Sequence, residues 1–176
     1  MRTFTRLSHF LVLSFLFFGS FSAISQTITV GTGTTYNSAT GYPAPYGNYY
    51  WGARHQILIL ASELTGNCGI VDKINSITFP IYSVNSCPAL QSFEIKLGHT
   101  TNTSLSSYVT GLTSVYSNSA YAPVAGNNTH IFSNCFDWNG TSNIVVEICF
   151  NNSSYVSSGN ASLSTHMRMA TRNNGD

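Results

Sequence analysis

Apolar and polar residues alternate with a period of two along much of the chain, as half-buried strands require. Phe93, Ile95 and Leu97 alternate with Ser92, Glu94, Lys96 and Gly98. Ile144, Val146, Ile148 and Phe150 share one face, opposite Val145, Glu147 and Cys149. Leu163, Thr165, Met167 and Met169 alternate with Ser164, His166 and Arg168. Ile77, Phe79 and Ile81 repeat the pattern. Pro80 among them predicts an edge strand or a bulge, because proline cannot donate to a ladder. Residues 56–61, QILILA, are apolar on both faces and predict a buried strand. Residues 27–30 predict an opening strand, weak strands are expected around 114–116, and another starts at 130–133. Ser62 is read as the cap of a helical turn over 62–69. About eight short strands, punctuated by turn residues, predict an all-β chain folded as an antiparallel β-sandwich or jelly roll.

Residues 1–25 break this pattern. Arg2 and Arg6 precede an apolar run at 10–18, FLVLSFLFF, and Ala23 and Ser25 form a small-residue cleavage site before Gln26. That order is the one a secretory signal peptide has. The run is shorter than the roughly 20 residues of a membrane span. The segment is therefore expected to be removed, leaving an exported chain, secreted or at the cell surface, without a span. The sandwich domain is expected over 26–170. Residues 171–176 end on Asn174 and Gly175, a hairpin signal with no second strand, which predicts a truncated or frayed tail and further domains downstream.

Composition narrows the classes. Charged residues are 7% of the chain, against about 25% in ordinary globular domains. Disorder does not explain the shortage, because 43% of residues are hydrophobic and 13% aromatic. A net charge of +1 provides no basic surface for nucleic acid. Beyond residue 25 there remain 151 residues with five basic and six acidic side chains. Ser, Thr, Asn and Tyr take the exposed strand positions instead.

The four cysteines, Cys68, Cys87, Cys135 and Cys149, all lie beyond the signal segment. Export predicts disulfides, and local pairing as Cys68–Cys87 and Cys135–Cys149 closes the shortest loops. The alternative is buried reduced thiols. No C-x-x-C spacing occurs, so a zinc or redox site is not expected.

Candidate chemistry is thin. Among the acids Glu63, Asp72, Glu94, Asp137, Glu147 and Asp176, only Glu94 and Glu147 fall within clear strands. Across a sheet they could reach the separation of a glycosidase pair. The plainer reading makes them solvent-side residues paired with Lys96 or Arg54. There is no G-x-S-x-G or H-E-x-x-H, and His55, His99, His130 and His166 are read as polar strand-end residues. No cofactor is expected. Calcium on loops carrying Asp72 or Asp137 is the one metal reading kept open.

The most unusual segment is 41–56, GYPAPYGNYYWGARHQ. Aromatic faces stack on sugar rings, and proline stiffens the loop that presents them. One reading is a platform for surface glycans, with Tyr46, Tyr49, Tyr50, Trp51 and Arg54 as contact residues. The other folds the rings back to plug one end of the sandwich, with Arg54 stacked against them.

Three stretches carry a resemblance: YPAPYGNYYWGARHQ at 42–56, FEIKLGHT with TGLTSVYSN within 93–118, and FDWNGTSNIVVEICFNN at 136–152. Together they resemble the N-terminal β-sandwich module of large exported cell-surface proteins of the Bacteroidota type, gliding- or adhesin-like cargo of type IX secretion. The resemblance implies fibronectin-like domains and a sorting domain downstream, which this sequence does not contain. Residues 136–150 also resemble the W-x-G turn-strand element of galactose-binding-like jelly rolls. That likeness implies that Trp138 covers the core edge, Asn139 and Gly140 turn, and 144–150 form a central strand. The expected function is a non-catalytic module for adhesion, carbohydrate binding or structural spacing. The alternative is an accessory domain or part of a secreted hydrolase, a glycosidase or peptidase.

Overall fold

The computed structural model describes residues 25–31, 33, 45–47, 52–65, 73–85, 87–154, 162–163 and 167–172. In chain order its elements are β1 (Ser25–Val30), β2 (Gly52–Ile59), α1 (Ala61–Thr65), β3 (Lys73–Ser83), β4 (Leu90–Thr100), β5 (Thr113–Tyr121), β6 (Gly126–Asp137), β7 (Asn143–Asn151), β8 (Ser162–Leu163) and β9 (Met167–Arg172). The strands form two sheets. The first runs β1-β9-β3-β6, with β8 also on β3, and the second runs β2-β7-β4-β5. Every described pairing is antiparallel. The chain is an all-β sandwich, as the period-two pattern predicts.

The inward faces are the apolar ones. Phe93, Ile95 and Leu97 of β4 and Ile144, Val146 and Ile148 of β7 are each fully buried. They meet Ile28 of β1 and Ile77, Phe79 and Ile81 of β3 in one continuous core. Burying each such side chain contributes about 1.5–3 kcal/mol, so this layer is the main stabilising term. Trp138 caps the core edge at 3% exposure, and its Nε1 donates to the Ser142 carbonyl at 2.7 Å. Gly140 takes φ +75° in the turn, and Asn139 Oδ1 accepts from the Ser142 amide at 2.8 Å. The W-x-G turn and the strand after it form as expected.

Several expectations are corrected. β3 is interior, flanked by β6 on one side and by β8 and β9 on the other. Pro80 lies opposite Asn127 of β6 and, on the other side, between the stretch paired with β9, which ends at Thr78, and the stretch paired with β8, which starts at Ile81; the edge reading is corrected, while the β3–β8 register is irregular beside it, between Ile81 and Ser83. The helix starts at Ala61, placing Ser62 inside it. Leu60 holds the cap position, because the Glu63 carboxylate reaches back to accept from the Leu60 amide at 2.8 Å. β5 and β6 are far longer than their weak patterns suggest, and β9 reaches Arg172 rather than stopping at 170. His130 is no strand-end residue but is wholly buried.

The Cys135–Cys149 pairing is also corrected. Cys135 is exposed on β6, an edge strand of the first sheet, and Cys149 lies half-buried on the outward side of β7 in the second. Both are free thiols. A disulfide needs Cα atoms within about 7 Å, which two opposed sheets about 10 Å apart do not provide. In the native protein a maleimide should label Cys135 well before Cys149, read by peptide mass. A cross-linked peptide joining the two would contradict this. Cys68 lies outside the described residues, and the Cys68–Cys87 expectation with it; Cys87 itself is buried.

Candidate functional site

Beyond the core, the outward face of the second sheet collects the polar side chains. Strand register places Arg54, Cys149 and Glu94 in one row across β2, β7 and β4, and Gln56, Glu147 and Lys96 in the next. Glu147 sits at the centre, 3% exposed. Its Oε2 accepts from Arg54 Nε at 2.8 Å and Nη2 at 2.7 Å, and from Gln56 Nε2 at 2.7 Å. Lys96 bridges the two acids, 3.0 Å from Glu94 and 3.6 Å from Glu147. The two carboxylates therefore come together, but as members of ion pairs.

Their protonation follows from these partners. Burial alone pushes the Glu147 carboxyl up, but the hydrogen bonds from Arg54 and Gln56 and the charges of Arg54 and Lys96 outweigh it, holding it below the usual range. Burial likewise raises Glu94, while hydrogen bonds from Ser114 and Lys96 bring the net result below the ordinary value. Neither group has the raised value that a glycosidase acid requires. His130 lies on the inward face and His99 packs tilted against Phe136 at 4.9 Å, so neither joins the carboxylates.

A strap formed by residues 101–112 covers part of this face. Gln56 docks it in both senses: Nε2 donates to the Val109 carbonyl at 2.7 Å, and Oε1 accepts from the Val109 amide at 2.8 Å. Tyr108 donates its hydroxyl to the Arg54 carbonyl at 2.9 Å, and the Arg54 guanidinium lies 4.4 Å over the Tyr108 ring. Gly98 lets the strap approach. A Cβ there would sit 2.4 Å from the Leu112 side chain. Gly98→Val should therefore displace the Leu112 side chain from the face of β4 and cost about 1 kcal/mol by overpacking, measured by urea denaturation. An unchanged midpoint would show that the strap is not packed as described.

Between β2 and the strap opens a cleft of about 450 Å³ lined by Arg54, His55, Gln56, Leu105, Ser106, Ser107 and Tyr108. Such a volume suits a small ligand. Burial lowers the His55 pKa, favouring its neutral form beside the cleft. Of the predicted aromatic platform, Arg54 is the one member among the described residues that the structure brings here. Tyr108, Ser106 and Ser107 were not legible as site residues, because the strap reads as an ordinary polar loop, and Gln56 was read only as the start of a buried strand.

The platform itself is corrected at Tyr46. That ring is 1% exposed, stacked 5.8 Å from both Phe93 and Tyr121 and edge-on to Phe79 at 6.0 Å. Its hydroxyl lies 2.6 Å from His130 Nε2. Tyr46 is a plug, because a ring this deep can reach no external sugar. Arg54 stacks on Tyr108 and not on the plug. Tyr49, Tyr50 and Trp51 lie outside the described residues.

Asp72 also lies outside them, and Asp137 pairs with Lys73. Among the described residues no three His, Cys, Asp or Glu side chains cluster as metal ligands. Among them, too, no helix is long and apolar enough to cross a membrane. The chain matches no family model, no curated protein and no solved structure.

Proposed function

We propose that the chain is a non-catalytic carbohydrate-recognition module of a secreted or cell-surface protein, and that the cleft beside β2 is its binding site. The observation that carries the reading is the cleft wall. A half-exposed arginine and a 55%-exposed tyrosine are fixed against each other by a stack and a hydrogen bond. A prearranged aromatic face with a polar partner is what a sugar site needs. The ionised carboxylates beneath favour recognition over hydrolysis. The signal-like residues 1–25 and the resemblance to exported surface modules support an extracellular setting, in which adhesion is the natural use of such binding.

Two experiments test this. Retention on a panel of insoluble polysaccharides should fall severalfold in Tyr108→Ala at unchanged melting temperature, while Tyr82→Ala, on the other sheet, should retain the wild-type level. Equal retention by all three proteins, or by none, would overturn the site and leave structural spacing as the function. N-terminal sequencing of the exported protein should begin at Gln26. An intact N-terminus in the membrane fraction would overturn export by cleavage.

A further inference from the structure

Resting on the carbohydrate reading above, we propose that the cleft selects acidic sugars: a uronic acid residue whose carboxylate pairs with Arg54 while its ring lies against Tyr108. The ion pair under the cleft is asymmetric. The Arg54 side chain is 45% exposed, whereas that of Glu147 is 4% exposed. The anion is buried and the cation faces outward, so the pair presents positive potential although its charges sum to zero. The neighbouring pair offers no such bias, because the Lys96 and Glu94 side chains are 29% and 30% exposed and lie 3.0 Å apart.

The guanidinium also has donors to spare. Nε and Nη2 are turned to Glu147 Oε2. Arginine carries five N–H donors in a fixed fork, and Nη1 has no acceptor among the described residues. Its plane is held over Tyr108, so the free edge keeps a defined direction. The hydroxyls of Ser106 and Ser107 line the same cleft, exposed, with no hydrogen-bond partner among the described residues. A fixed cationic edge, an exposed ring and two hydroxyls match a carboxylated pyranose: carboxylate to arginine, C–H face to tyrosine, ring hydroxyls to serines. An acidic peptide offers the carboxylate without the ring.

Polygalacturonate, its fully methyl-esterified form, neutral galactan and polyglutamate serve as probes in affinity electrophoresis with the full chain. The expected result is retardation by polygalacturonate, weakened about tenfold or more by esterification, since that neutralises the carboxylate and caps one of its oxygens with a methyl group while keeping the sugar ring. It should also weaken with added salt. Arg54→Lys keeps the charge but loses the fork, and should weaken polygalacturonate binding severalfold in a protein that still unfolds cooperatively well above the assay temperature. Equal retardation by the ester or by galactan would overturn the acidic selectivity and leave carbohydrate binding standing. Retardation by polyglutamate as strong as by polygalacturonate would overturn the sugar as the carboxylate's source. Absence of retardation by every polysaccharide would overturn the functional reading and this inference together.

Discussion

Phe93→Ala is expected to cost about 3–5 kcal/mol, the range found when a large buried ring is truncated and its cavity stays open. Phe93 is fully buried, with Tyr121 stacked at 4.9 Å, His130 at 5.2 Å and Tyr46 at 5.8 Å, and with Tyr116 edge-on at 6.2 Å. Every one of these neighbours is itself a rigid ring, so the surroundings have little freedom to close the void. Against a total stability of about 5–15 kcal/mol, that loss is a large fraction. For a domain of this size it corresponds to a fall in Tm of roughly 10 °C. Urea denaturation followed by fluorescence measures it. A cost under about 1 kcal/mol would show that these rings do not form a single packed unit.

Acidification from pH 7 to pH 4 should remove about 3 kcal/mol through one residue. Burial lowers the His130 pKa to about 4, from an ordinary value of 6.5. Its Nε2 faces the Tyr46 hydroxyl, and its Nδ1 is buried with no partner among the described residues. The rings of Tyr116, Tyr121, Phe79 and Phe93 enclose it, and none is charged. The sign follows directly. Below pH 6.5 the unfolded chain takes a proton that the folded chain refuses, so stability is complete above 6.5 and is lost progressively down to about 4. The 2.5-unit gap, at about 1.4 kcal/mol per unit, sets the magnitude. His55, also lowered, adds to the same window. Glu94 and Glu147 act later: their folded values lie below the ordinary 4.5, so their contribution persists to that pH and is lost only beneath it. Denaturation midpoints at pH 7, 5.5 and 4.5 should fall steadily in the wild type. In His130→Gln, which keeps an acceptor for Tyr46, most of that slope should vanish. A wild type with a flat profile would contradict a neutral buried imidazole.

The core strands were legible because their evidence is local. β4 and β7 alternate in sequence, and the inward residues read from that pattern are all buried, although in β7 the outward Val145 and Glu147 are buried as well. β6 defeats the same reading, because two of its inward residues, Asn128 and His130, are polar. Asn128 earns its place through four bonds: its Oδ1 accepts from Tyr121 and from the Val124 amide, and its Nδ2 donates to the Val124 and Gly126 carbonyls. Those bonds pin the β5–β6 connection. His130 is accepted in the core only because Tyr46, 84 positions away, caps its ring nitrogen. Single-sequence periodicity cannot register such a partner. The site shows the same division. The pairing of Glu147 with Arg54 was readable as opposite charges on solvent-side strand positions, while the burial of Glu147 alone and the docking of the strap beside it depend on Gln56 and Tyr108, whose roles exist only after folding.

The pairing of β1 with β9 bears on how the fold carries load. Ser25 lies opposite Arg172, and Val30 opposite Met167, so the outer ends of the two strands sit side by side. Tension applied through Ser25 and Arg172 acts across this ladder and not along it. The bonds then fail one rung at a time, as a zipper opens, instead of sharing the force in shear. Single-molecule pulling from those two points should therefore begin at low force with the peeling of β1. The second sheet, which contains the cleft, should stay assembled until β9 has left β3.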